Sequence, residues 1–126
     1  MKDARQSNYN RASIVPLEEV LPSIPFRERR LIGGQMVRAE SLRMRTFKEK
    51  GQVCAACGLK ATHFAIERQV HLKEGPYHIN MYGVDADGDE VLFTHDHIQP
   101  RSKGGADHID NTQTMCGPCN WTKGAN

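Results

Sequence analysis

The chain has 126 residues, enough for one domain with a modest hydrophobic core. Hydrophobic residues make up 38%, aromatics only 6%, and mean hydropathy is −0.61, which excludes a large aromatic core and favours a metal staple. The formal net charge of +2 hides an asymmetry: residues 1–50 carry eleven Lys/Arg against six Asp/Glu, while residues 51–126 carry six against nine. A polyanionic partner is therefore expected to be gripped first by the N-terminal half.

No apolar run is long enough for a membrane helix or a signal-peptide core. The expectation is a cytoplasmic protein with no membrane contact, whose thiols stay reduced and available as metal ligands.

In chain order, residues 1–13 are polar and expected to be weakly ordered. In "IVPLEEVLPSIPF" (14–26), Pro16, Pro22 and Pro25 forbid a long helix and leave an extended segment with at most one short turn. Residues 1–35 are thus expected to be an irregular N-terminal arm, partly extended or disordered. Such an arm can dock on the domain, on a partner or on a second copy of the chain. From Met36 to Lys50 the spacing predicts a helix ended by Gly51, with Met36, Val37, Met44 and Phe47 on one face. Arg38 and Arg45 lie opposite with Lys48 beside them, a basic face suited to a phosphate backbone or simply to water.

Three strands are predicted next, His63–His71, Tyr77–Val84 and Glu90–His95. The "DADGD" stretch fails the EF-hand test, because Glu90 and Asp96 stand where Gly and Glu are required. Asp87-Gly88 is read instead as hairpin turn chemistry.

Cys54-x2-Cys57 and Cys116-x2-Cys119 form two thiolate hooks that together fill a tetrahedral zinc site. The hooks are 58 residues apart, so a folded insertion must separate them. Four thiolates leave such a zinc no open position, and any chemistry must lie elsewhere.

Between and around the second hook runs "DHIQPRSKGGADHIDNTQTMCGPCN". Asp96-His97, Asn111 and Asn120, with Pro100, Gly104-Gly105 and the C-x2-C-N-x2-K-G run from Cys116 to Gly124, resemble an HNH endonuclease of the His-Me finger group. Their spacings are similar to those of the HNH domain in RNA-guided DNA nucleases, and the cysteines resemble the zinc-containing, often phage- or prophage-encoded branch. The resemblance covers roughly residues 40–126. It implies an α+β fold with a small ββα-metal core, a domain over 36–126, and metal-dependent hydrolysis of double-stranded DNA in a bacterial or phage-infected cell.

The residue types suit that chemistry on their own. Histidine trades protons near neutral pH, which fits His97 as general base. Asp96 and Asn120 offer hard oxygen ligands for magnesium or manganese. Asn111 is expected to orient His97, and Arg101, Lys103 and Lys123 to contact phosphates. Strict strand alternation puts His95 and His97 on one face and Asp96 on the other. Either the strand bulges near its end, or His95 replaces Asp96 beside His97. The competing reading is a zinc-stabilised nucleic-acid-binding module without catalysis.

Overall fold

The computed structural model describes residues 8–124, so the expectation of weak order for residues 1–7 lies outside them. The chain is α+β, with a five-stranded antiparallel sheet in the order β1 (Tyr9–Pro16), β4 (Ala61–Gln69), β5 (His78–Val84), β6 (Glu90–His97) and β7 (Thr112–Cys116), and a separate hairpin of β2 (Phe26–Ile32) and β3 (Gln35–Ala39). The three predicted strands are present as β4 (Ala61–Gln69), β5 (His78–Val84) and β6 (Glu90–His97). The β5–β6 turn closes where expected: the Asp85 carboxylate accepts the backbone N–H groups of Asp87 and Asp89.

The segment expected as an arm is built into the domain. Tyr9–Pro16 forms β1, an edge strand paired antiparallel with β4 from Tyr9↔Gln69 to Pro16↔His63. The prolines bound elements instead of loosening them: Pro16 ends β1, and Pro22 sits in the single-turn 3-10 helix after the short helix α1 (Leu17–Val20). Val15, Val20, Ile24 and Phe26 are buried in the same cluster as Phe64, Ile66, Met81 and Phe93. On the other sheet face Arg11 reaches Glu67 at 2.8 Å and grips Glu90 with both terminal nitrogens at 2.9 Å. The fully buried Glu67 also accepts from Asn80 and Tyr82, so its charge is compensated on several sides.

The helix expected over 36–50 is shorter, α2 (Leu42–Lys50), because Gln35–Ala39 is β3 and pairs with β2 (Phe26–Ile32). The two-residue turn between them is Gly33-Gly34, with φ of 59° and 86°, the conformation a tight hairpin requires. Ser41 caps α2 by accepting the Met44 N–H. Met44, Thr46 and Phe47 form its buried face, and truncating the fully buried Phe47 to Ala would cost about 3–5 kcal/mol. Thr46 also meets Thr112 at 2.8 Å between hydroxyl oxygens, fixing α2 against the start of β7 (Thr112–Cys116). The last element is α3 (Gly117–Lys123), which follows β7 directly. No helix among the described residues is long and apolar enough to cross a membrane.

Candidate active site and metal centre

The two cysteine hooks meet. Their four sulfurs lie within 4.8 Å of one another, and Cys57 Sγ is 3.8 Å from Cys116 Sγ. Thiolates bound to one tetrahedral zinc at about 2.3 Å stand roughly 3.8 Å apart, so the cluster fits that ion. The first hook is a tight knuckle: the Cys54 N–H donates to Leu59 O and the Gly58 N–H to Cys54 O. The Ala55 N–H donates to Thr114 O, which ties the knuckle to β7. Burial opposes ionisation of Cys54, yet the N–H groups of Cys57, Cys116 and Ala56 bring its thiol down to about 6. Burial pushes the Cys116 thiol up, an effect a bound cation would reverse.

The second group of residues stands on β6, the loop after it, and α3. The β6–β7 ladder is regular from Phe93↔Cys116 to His97↔Thr112, so the strand does not bulge between Asp96 and His97. His95 and His97 therefore share a face, their ring centres 5.4 Å apart. Both line an open groove of about 710 Å³ together with Arg38, Arg43, His78, Arg101 and Asp107. Burial, followed by the nearby His97 and Arg43, lowers the pKa of His95 and favours its neutral form.

Asp96 points the other way and is buried, with Oδ2 accepting from Lys123 Nζ at 2.6 Å and from Gln113 Nε2 at 3.0 Å. At the strand end, however, His95, Asp96, His97, Arg101 and Asn120 border one smaller cavity of about 270 Å³. Asn120 is held there from α3, its amide donating to Thr94 Oγ1 at 2.8 Å and to His95 O at 3.3 Å. Cys119 precedes it directly, so the cysteine cluster sets the position of this side chain. A carboxylate beside a carboxamide offers oxygen donors of the kind a hard cation takes, although Asp96 is here paired with Lys123. A metal ion there would compete with Lys123 for Asp96.

His97 Nε2 lies 2.8 Å from Asp107 Oδ1. The same bond, which dominates over a small burial penalty, holds the Asp107 carboxyl below its ordinary value. Asp107 was not among the residues expected from sequence. It is brought to His97 by a loop folded on itself at Gly105, whose N–H donates to Pro100 O. A Cβ at Gly105 would fall 1.7 Å from Gln99 O, so only glycine permits this close backbone approach.

Asn111 has a different role from the one expected. Its Oδ1 accepts the Gln99 N–H at 2.9 Å, and its Nδ2 donates to Ala106 O at 2.8 Å and Gln99 O at 3.1 Å. The amide thus clamps the loop that carries Asp107 and bonds loop backbone, not the His97 ring.

The expected phosphate contacts divide. Arg38 and Arg101 line the groove, while Lys103 is exposed on the loop. Arg45 faces Glu49 at 3.6 Å, outside the groove lining, and Lys48 donates to Leu21 O and Pro22 O. Lys123 is engaged with Asp96. The arginine that α2 does present to the groove is Arg43, held by Asn80 Oδ1 and Ile79 O at 3.0 Å each. Helical spacing could have found it, had the helix start been placed at the Ser41 cap.

No curated protein and no solved structure matches the chain. Residues 85–126, which hold β6, the loop, β7 and α3, match the model of the HNH endonuclease family.

Proposed function

We propose that the protein is a metal-dependent DNA endonuclease whose β6, β7 and α3 form a ββα-metal core. The observation that carries this reading is the His97–Asp107 pair facing an arginine-lined groove. With Asp107 ionised, Nε2 of His97 bears the proton and Nδ1 keeps its lone pair. His97 Nδ1 then takes a proton from the attacking water as general base, and Asp107 stabilises the imidazolium that results. The water oxygen bonds to phosphorus while the bond to the 3′ oxygen breaks, giving 5′-phosphate and 3′-hydroxyl ends.

Asp96 and Asn120 would hold magnesium or manganese, which supplies Lewis-acid stabilisation of the phosphate and the departing oxygen. Arg101 borders both cavities and is the side chain best placed to hold the scissile phosphate. A single site of this kind cuts one strand, so a monomer nicks and double-strand breaks need two events.

The test is supercoiled plasmid incubated with magnesium or manganese, an EDTA control, and His97→Ala purified in parallel. Metal-dependent nicking by the wild type, lost in the variant, is the expected result. Nicking that persists unchanged in His97→Ala overturns the mechanism. One observation favours the second reading, a zinc-stabilised binding module: Lys123 already neutralises Asp96. Duplex binding without any nicking would select it.

A further inference from the structure

We infer that the outward face of the β2–β3 hairpin is a second nucleic-acid contact, a ribbon that holds the duplex flanking the cut. The identity of its ligand rests on the nuclease reading; the geometry does not.

The hairpin has two unlike sides. Phe26, Val37 and Ala39 are buried against the core, whereas Leu31 and Met36 form a cross-strand pair that is 70% and 48% exposed. The hairpin and its end carry arginines at 27, 29, 30 and 38 against glutamates at 28 and 40. Arg30 pairs with the buried Val37 and lies 4.6 Å over the Phe26 ring, which leaves Arg27, Arg29 and Arg38 for the side of Leu31 and Met36. The ion pairs among them are exposed: Arg30–Glu28 at 2.8 Å, Arg27–Glu40 at 3.7 Å and Arg38–Glu40 at 3.8 Å. Such pairs are worth little in water and yield readily to phosphate. Among the described residues, the Arg29 side chain makes no ion pair or hydrogen bond.

The ribbon is continuous with the candidate active site. Arg38 and Glu40 line the same groove as His95, His97 and Arg101. Arg38 lines that groove together with His78, and burial first, then the charges of Arg43, Arg29 and Arg38, lowers the His78 pKa. The turn of the ribbon is tied to β1, where Ser13 Oγ donates to Gly33 O at 2.7 Å. A pre-ordered two-stranded ribbon is narrow enough for the major groove of DNA. Arginine at its edges suits bidentate phosphate contact, and an apolar centre suits sugar or methyl surfaces. An acidic peptide fits the charge but not the position beside a phosphodiesterase constellation.

The test measures binding of a short fluorescein-labelled duplex by anisotropy over a salt series, in EDTA so that nothing is cut. The proteins compared are wild type, Arg29→Ser/Arg38→Ser, Arg29→Lys/Arg38→Lys, and Lys73→Ser on the exposed β4–β5 loop. The serine pair is expected to raise Kd about tenfold or more and to reduce the salt slope by roughly 1.8, or 0.9 per lost contact. The lysine pair should keep the wild-type salt slope, because both charges remain, with a rise in Kd smaller than that of the serine pair because only the bidentate geometry is lost. Lys73→Ser should be unchanged. Matching thermal melts exclude a folding effect; if the serine pair melts early, Arg29→Ser alone is read, with a threefold loss expected. A wild type that nicks plasmid while the serine pair binds with unaltered Kd and slope overturns the ribbon and leaves the nuclease reading standing. A wild type that binds through the ribbon and never nicks overturns the nuclease reading and keeps the ribbon. A wild type that does neither overturns both.

Discussion

Asp107 Oδ1 stands 2.8 Å from His97 Nε2, yet the two residues are joined only through a loop folded back at Gly105 and clamped by Asn111. In the proposed mechanism the carboxylate would select the tautomer of the ring that leaves the other nitrogen free to accept a proton, and would stabilise the imidazolium formed in the transition state.

Asp107→Asn is expected to keep a hydrogen bond at this position while removing the charge. Single-turnover nicking should fall about 10- to 100-fold, the usual cost of losing an orienting partner, with duplex affinity little altered. The loss should not be recovered by raising DNA concentration, which separates positioning from binding. An unchanged rate at saturating DNA would show that His97 does not depend on Asp107.

The cysteine cluster yields a second expectation. It joins the turn before β4 to the β7–α3 junction, and α3 carries both Asn120 and Lys123. Zinc in a four-thiolate site contributes on the order of 10 kcal/mol to folding, comparable to the whole stability of a small domain. Stripping the metal with a chelator at neutral pH should unfold the protein by far-UV circular dichroism. Zinc, and not magnesium, should restore both the spectrum and nicking, at one zinc per chain. An apo protein melting at the same temperature as the loaded one would remove the staple from the account.

Much of this arrangement is legible in the sequence, and the part that is not has identifiable causes. Phe64 and Ile66, both buried, and the Asp87-Gly88 turn mark β4 and the β5–β6 hairpin. Val70, read as the third member of the alternation, instead lies past the end of β4 and is exposed, and Ala65 and Glu67 on the opposite face are buried too. The hooks are legible because two-residue spacing is itself a geometric constraint. The N-terminal strands are harder. Met36, Val37, Met44 and Phe47 match a helical period by coincidence, since the first two belong to β3, where one points out and the next points in. The Gly33-Gly34 pair and the Ser41 cap carried the correct boundary, and local turn chemistry there outweighs periodicity. Pro16 reads as a breaker but only ends an edge strand, where a missing N–H costs nothing in the ladder. Asp107 could not be assigned from spacing, because its approach to His97 depends on loop closure through Gly105. The face of Asp96 was settled by register: a regular β6–β7 ladder turns it to Lys123.

The groove also carries a pH dependence. His78 lies on β5 and lines the groove with Arg43 from α2 and Arg38 from β3; burial first, then the charges of Arg43, Arg29 on β2 and Arg38, lower its pKa. The folded protein therefore binds fewer protons at this site than the unfolded chain, whose histidine titrates near pH ~6.5. The resulting stability is fully present above that value and declines as pH falls toward and through the lowered folded pKa. Duplex phosphates laid on Arg29 and Arg38 would offset the positive field, so the His78 pKa should rise on binding. Binding then takes up a proton in mildly acid solution, and affinity increases as pH drops below about 6.5. Heteronuclear NMR of the imidazole resonances, with and without saturating duplex, reads the pKa directly. A comparison of the pH dependence of Kd between wild type and His78→Gln isolates the share of this residue from that of His95 and His97. A His78 pKa that stays put on saturation with DNA would mean that the duplex does not lie against Arg29 and Arg38.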